Sequence, residues 1–204
     1  MLDFFIKKLG LNRTPPEKCY KDEFVQAFRT AKEFSLDTPD VEFSSKKFIS
    51  DERLDKLPQF LVDRIGAITP EMIFVQCFYF HLLARDHLED FFNAPIYFTL
   101  GYVETPETKY FYHTKKDLKT LLANGMENPE MNLHAWLTLP SMEIIDLTLP
   151  GSIAQARGDK PPKSFGIIAN HADQLLNGCK YHPTLVGDDF LVRIGGIREF
   201  TVFE

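Results

Sequence analysis

The chain has 204 residues, a length suited to one domain, and 44% of them are hydrophobic, so a sizeable core can form. The net charge is −6 and the basic residues form no stripe, which argues against an electrostatic nucleic-acid interface. No run of about 18 apolar residues occurs, so no membrane-spanning helix is predicted.

The cysteines and the first residues indicate a reducing, cytoplasmic setting. Cys19, Cys77 and Cys179 are odd in number and far apart, and none belongs to a CxxC pair. Residues 1–10 lack the charge order and cleavage site of a signal peptide. They are predicted to form a short amphipathic helix that packs on the domain rather than inserting into a lipid surface.

We find no pattern typical of a metal or cofactor site. There is no HExxH sequence, and His81 and His87 lack the spacing of paired helical ligands. His171, Cys179 and His182 are scattered and do not form a zinc pattern. No glycine-rich phosphate loop is present, so we expect neither a metal nor a cofactor.

The first third of the chain is predicted to be helical. Residues 21–34 and 51–65 carry apolar side chains at helical spacing, the second segment with Pro58 as a possible kink, and residues 37–50 read as a loop. We treat residues 1–65 as a helical N-terminal subregion of a single domain that spans residues 1–204.

The strongest helix start in the sequence is Thr69-Pro70-Glu71, where a capping residue, a proline and an acidic residue follow one another. The apolar segment 72–92 that follows is predicted to be a long helix, buried on most of its sides.

Strand-forming segments dominate after Pro95. The segment 114–125 is predicted to be an amphipathic helix, and residues 150–163, rich in glycine, proline and charge, are predicted to be a surface loop. Predicted strands lie at 96–103, 109–113, 164–169, 181–186, 190–194 and 199–203, besides the hairpin described next. Helices followed by strands indicate an α+β domain with a central helix packed on an antiparallel sheet.

The hairpin over residues 132–148 carries one histidine and one aspartate, His134 and Asp146. A three-residue turn at 140–142 pairs Leu139 with Glu143 and makes His134 and Asp146 diagonal neighbours on one face. A two-residue turn instead places Asp146 on the opposite face. Only the first register lets the two side chains form a hydrogen bond.

A histidine held by a carboxylate is the part of a catalytic triad that activates a nucleophile. Cys77 is the candidate nucleophile, because a thiol attacks a carbonyl well only as a thiolate and needs a base nearby. We therefore predict a catalytic group formed by Cys77, His134 and Asp146.

The residues His134-Ala-Trp-Leu-Thr-Leu and Ile144-Ile-Asp-Leu-Thr148 resemble the His-Ala-Trp and Asp-x-Thr motifs of transglutaminase-like enzymes in the papain-like superfamily. The segments beginning at Cys77 and Pro95 are similar to that family's cysteine-bearing helix and the strand that follows it. The resemblance covers about residues 70–150. It implies a papain-like fold and acyl transfer through a thioester on Cys77, with His134 as general base and acid and Asp146 as its orienting carboxylate.

The sequence leaves competing interpretations open. A helix that begins at Pro70 places Cys77 two turns inside it, where a cysteine is commonly a small core residue, whereas the family has its cysteine at a helix N-terminus. His134 and Asp146 also have purely structural interpretations, and Trp136 is expected in the core or a pocket wall. His81 is interpreted as a surface histidine of the helix, with pairing to the Cys77 thiol as the alternative.

Three functions remain under consideration. The leading one is a cysteine-dependent hydrolase or acyltransferase acting on a peptide, a protein or a small amide. The second is a catalytically inactive binding or scaffold protein on the same fold. The third is an interaction module that uses the N-terminal amphipathic segment. The sequence does not indicate an oligomeric state.

Overall fold

The computed structural model describes residues 18–66, 69, 77–126, 132–162 and 166–197. Their elements follow in the order α1 (Tyr20–Glu33), α2 (Asp51–Ile65), α3 (Cys77–Phe92), β1 (Tyr97–Glu104), β2 (Lys109–Tyr110), α4 (Lys115–Asn124), β3 (His134–Thr138), β4 (Glu143–Asp146), α5 (Leu149–Arg157), β5 (Ile168–His171), β6 (Lys180–Val186) and α6 (Asp189–Arg193). The expected elements at residues 1–10, 70–76 and 199–203 lie outside the described residues. Within those residues, no helix has the length and apolar character needed to cross a bilayer.

The predicted helices α1, α2 and α4 are confirmed, and capping residues close in sequence fix the starts of α2 and α4. The Ser50 hydroxyl caps α2 by accepting the Arg53 backbone N–H, and Pro58 is accommodated inside that helix. Thr114 and Asp117 form a reciprocal capping box at the start of α4, which ends at Asn124 and is followed by Gly125.

The sheet is antiparallel throughout its described strands, with β1 at its centre. Residues 99–101 pair with both β3 and β6, so these two strands lie on opposite edges of β1. Strand β2 pairs with the last two residues of β1 on the β3 side, and β4 and β5 extend the sheet beyond β3. The predicted α+β class is confirmed.

The two faces of the sheet pack against different helices. Side chains from one face form a cluster with residues of α2, α3 and α6, including Phe98, Leu100, Ala135, Leu137, Leu57, Leu88 and Phe190. Side chains from the other face form a second cluster with α1, including Tyr97, Val103, Trp136, Ile144, Tyr20 and Phe24. Helix α3 packs on β1 and β3, and the backbone of Ala135 in β3 lies beside Cys77 at the first described residue of the helix.

The hairpin adopts the three-residue turn. Leu137 pairs with Ile145 and Thr138 with Ile144, and the Leu139 N–H donates to the Glu143 carbonyl at 2.9 Å. Met142 takes the left-handed conformation, with φ of 66°, that such a turn needs at one position. This register confirms the prediction that His134 and Asp146 share a face.

Two element predictions were wrong. Residues 149–157 form helix α5 rather than a loop, because Pro150 suits the first helical turn and Gly158 ends the helix in the left-handed conformation. Residues 189–193 form helix α6 rather than a strand. A short apolar run is compatible with either a helix or a strand. In this one, Phe190 and Ile194 lie one helical turn apart and face the core.

Gly101 lets β1, β6 and Trp136 approach one another closely. A Cβ at this position would lie 2.1 Å from the His182 carbonyl oxygen and 2.6 Å from the Trp136 ring. The register of β1 against β6 shifts between Leu100 and Gly101, which brings the neighbouring backbone inward.

We expect Gly101→Ala to lower the free energy of unfolding by about 3 kcal/mol, since a backbone carbonyl and a buried indole must both move. Urea denaturation measures the change. Gly166→Ala is the control, because its Cβ would meet nothing closer than 3.6 Å, and we expect it to stay within about 0.5 kcal/mol of the parent. Equal stability of the two variants would contradict the close approach at Gly101.

Candidate functional site

His134 and Asp146 form a buried pair at the point where β3 and β4 separate. Backbone pairing between these strands ends at Leu137 and Ile145, and beyond it the two side chains bridge the strands. The His134 Nε2 atom lies 2.6 Å from Asp146 Oδ2, and neither side chain is exposed to solvent. The hydrogen bond predicted from the hairpin register is therefore present.

Four groups hold the Asp146 carboxylate. Oδ2 binds His134 and accepts the Tyr181 hydroxyl at 2.9 Å. Oδ1 accepts the backbone N–H groups of Thr148 at 2.8 Å and Leu149 at 2.9 Å, which are the first donors of helix α5. Burial by itself raises the pKa of Asp146, but the attraction and hydrogen bond of His134, together with the nearby His81, outweigh burial and hold that pKa well below its usual range.

The hydrogen bond to Asp146 fixes the state of the His134 ring. An ionised carboxylate only accepts, so His134 Nε2 carries a proton and donates it, which leaves Nδ1 as the ring's free basic atom. Nδ1 is buried and has no hydrogen-bond partner among the described residues. A buried polar atom without a partner destabilises a fold by about 1 to 3 kcal/mol, so its presence calls for an explanation.

Phe111 covers the His134 ring. The two rings stack with centroids 5.1 Å apart and an interplanar angle of 20°. The backbone of Phe111 has φ of 63°, an uncommon left-handed conformation for a bulky residue. His113 holds this conformation, since its Nδ1 donates to the Phe111 carbonyl at 3.0 Å and to the Asn132 carbonyl at 2.8 Å.

Cys77 is the first described residue of α3 and is half-buried. Burial, followed by the negative charge of Asp146, raises the pKa of its thiol to about 12, against an opposing effect of the Ala135 and Phe78 backbone amides. The thiol therefore lies beside the strand that carries His134. It is not hydrogen-bonded to His134, whose Nδ1 has no partner in the described part of the chain.

The interpretation of His81 as a surface histidine was wrong, because its ring is fully buried. Its Nδ1 lies 2.7 Å from the Cys77 carbonyl oxygen, and the Leu147 N–H donates to its Nε2 at 3.0 Å. His81 thus contacts the backbone of Cys77 rather than its thiol. The ring also lies 3.5 Å from Asp146 Oδ1 through Nε2.

Sequence reasoning missed Tyr181, Phe111 and the role of His81. Tyr181 and Phe111 lie far along the chain from the residues they contact, and no local pattern points to them. The sequence did contain a signal for the contact between Asp146 and α5. An aspartate a few residues before a proline commonly marks the start of a helix. Trp136, expected in the core or a pocket wall, is fully buried in the core and donates from Nε1 to the Tyr20 hydroxyl at 2.7 Å.

The described residues hold no cluster of three or more His, Cys, Asp or Glu side chains suited to a metal ion. Comparison with protein-family models, with curated proteins and with solved structures finds no match to this chain. Its function is therefore argued from the site itself.

We expect Asp146→Asn to lower the free energy of unfolding by about 3 to 5 kcal/mol at neutral pH, because the donors around Asp146 lose an ionised acceptor. The pKa of Asp146 is depressed in the folded state. Its contribution is therefore complete above the unfolded-state value near about 4 and is lost as pH falls from there towards the folded-state value.

Denaturation of both proteins across acid pH tests this expectation. The stability gap between the parent and Asp146→Asn should narrow below about pH 4. Asp159→Asn, at an exposed position, serves as the control and should change stability by about 0.5 kcal/mol or less at every pH. A gap that does not change with pH would contradict an ionised, hydrogen-bonded Asp146.

Proposed function

We propose that this protein is a cysteine-dependent acyl-transfer enzyme with a papain-like, transglutaminase-like arrangement of Cys77, His134 and Asp146. The observation that carries the proposal is the buried, unpartnered Nδ1 of His134, opposite a nitrogen fixed by an ionised aspartate. A ring held this way has one free basic atom and an anion that stabilises its protonated form. Three free cysteines are consistent with a reducing, cytoplasmic setting.

In the proposed reaction, His134 Nδ1 takes the proton of the Cys77 thiol as sulfur attacks the carbonyl carbon of an amide or ester. The carbon–sulfur bond forms, and His134 gives the proton to the nitrogen or oxygen of the leaving group. The bond between the carbonyl carbon and that nitrogen or oxygen then breaks, which releases the amine or alcohol and leaves a thioester on Cys77. Water or an amine, deprotonated by His134, then attacks the thioester, and the thiol regains its proton. Asp146 stays ionised throughout and orients the ring.

The described geometry corresponds to a resting state of this mechanism. The raised pKa keeps the Cys77 thiol neutral near neutral pH, and Phe111 covers the ring that serves as its base. Binding of a substrate would change both the neutral state of the thiol and the covering of the His134 ring. Displacement of Phe111 by a substrate uncovers the face of the His134 ring, and transfer of the thiol proton to Nδ1 creates an imidazolium that favours the thiolate.

The substrate class follows from the chemistry of a thioester intermediate. A peptide, a protein side-chain amide or a small amide supplies the acyl group, and hydrolysis or transfer depends on which nucleophile resolves the thioester.

A catalytically inactive binding or scaffold protein is the second candidate. The neutral thiol and the covered His134 ring favour it, because both are also expected where the pair only stabilises the fold. This candidate predicts a Cys77 thiol that stays inert towards acyl donors in the folded protein.

We expect p-nitrophenyl acetate to acylate Cys77 in the folded protein and Cys77→Ala to abolish that modification. Loss of the base in His134→Ala should slow the reaction by about a hundredfold. Intact-mass measurement and peptide mapping identify the acylated residue. Cys19→Ala, which removes an exposed thiol, is the matched control and should leave Cys77 acylation unchanged. Unchanged acylation of the Cys77→Ala protein would refute the assignment, and an inert Cys77 would favour the scaffold.

We expect Phe111→Gly to expose His134, because glycine keeps the left-handed backbone and removes the covering ring. Diethyl pyrocarbonate should then modify His134 at least about tenfold faster, relative to His171 in the same molecule. Tyr112→Gly removes the adjacent ring, which contacts Tyr102 instead, and should leave His134 protected. Equal rates in both variants would show that Phe111 does not shield the imidazole.

A further inference from the structure

His81 is buried without any exposed surface, although imidazole is a polar ring. A buried imidazole is more stable when both of its nitrogens are hydrogen-bonded, as they are in His81. Leu147 donates its N–H to Nε2 at 3.0 Å, so Nε2 carries no proton. Nδ1 must then carry the proton and donate it to the Cys77 carbonyl at 2.7 Å, which makes His81 a neutral ring with one defined tautomer.

These two hydrogen bonds connect the segments that carry the thiol and the carboxylate. The Cys77 carbonyl belongs to the first described residue of α3, and the Leu147 N–H belongs to the residue after Asp146. A single rigid ring therefore sets the distance between the Cys77 backbone and the end of β4. Side-chain hydrogen bonds of this kind fix reacting groups within a fraction of an ångström.

The hydrogen bond from the Leu147 N–H also determines which of the two histidines donates to Asp146. His81 Nε2 lies 3.5 Å from Asp146 Oδ1, and His134 Nε2 lies 2.6 Å from Oδ2. Because Nε2 of His81 is occupied as an acceptor, it does not donate to the carboxylate. Asp146 is left to orient His134, and the rings of His81 and His134 meet edge to face with centroids 6.3 Å apart.

We propose that His81 is a positioning residue that holds the Cys77-bearing turn of α3 against the end of β4 and so places the thiol beside the His134–Asp146 pair. It acts through backbone hydrogen bonds, as a neutral ring, and does not touch the reacting atoms. Its catalytic consequence rests on the proposed function, whereas its effect on the position of the thiol does not.

Two substitutions separate positioning from packing. The amide of glutamine has an N–C–O group that matches the N–C–N edge of imidazole, so His81→Gln keeps a donor for the Cys77 carbonyl and an acceptor for Leu147 N–H. His81→Leu fills the site but makes neither bond. If the His81→Leu protein does not fold, His81→Asn, whose amide is one bond shorter and cannot serve both partners, takes its place.

The first measurement is alkylation of Cys77 by iodoacetamide at neutral pH, with the exposed Cys19 thiol of the same chain as reference. Without the His81 bonds, we expect the half-buried thiol to move away from Asp146, and its pKa to fall towards an ordinary value. We expect the Cys77 rate to rise at least about tenfold in His81→Leu and to stay within about threefold of the parent in His81→Gln.

The second measurement is acylation of Cys77 by p-nitrophenyl acetate, which needs His134 as base. We expect His81→Leu to lose at least about tenfold and His81→Gln to retain the parent rate within about threefold. Unchanged alkylation in a folded His81→Leu protein, or equal effects of the two substitutions, would overturn the positioning role. If the alkylation rates behave as expected and the parent is not acylated, the positioning role stands and the acyl-transfer proposal fails.

Discussion

The site depends on one ionised carboxylate, that of Asp146, held inside the protein. A buried charge is tolerated only where several donors surround it. Here the donors come from β3, from the start of α5 and from β6, through His134, the Thr148 and Leu149 amides, and Tyr181. A group with this many fixed donors ties three parts of the chain to the end of β4, so the site and the fold around it are built by the same interaction.

Glu143 shows what a buried carboxylate looks like when its role is structural. It is almost fully buried and accepts the backbone N–H groups of Phe48 at 2.7 Å and Ile49 at 3.1 Å, together with the Ser141 hydroxyl. These partners are two backbone N–H groups and one hydroxyl, and none of them is a side chain that could act as a base. Asp146 differs because one of its donors, His134, carries a second polar atom that is buried and unpartnered.

The sequence predicted the parts of this arrangement that depend on local pattern. Alternation along β3 and β4 limited the hairpin to two registers, one of which places His134 and Asp146 on one face, and helix signals located α1, α2 and α4. The same reasoning failed for α6, since a run of five residues fits either period, and for α5, whose proline was taken as a sign of a loop. His81, Tyr181 and Phe111 could not be found this way, because their burial and partners arise only when distant segments pack together.

The position of Cys77 explains why two functions can be argued from one geometry. The ionised Asp146 carboxylate orients the His134 ring, and its negative charge also opposes ionisation of the Cys77 thiol. In the proposed reaction this opposition is offset when the thiol proton moves to His134, because an imidazolium attracts both the thiolate and the Asp146 carboxylate. For the proposed mechanism, a neutral Cys77 thiol is therefore the expected resting state, and its proton transfers to His134 once a substrate has displaced Phe111. The contact that distinguishes an enzyme from a scaffold is thus the one between the Cys77 sulfur and His134 Nδ1 in that opened state.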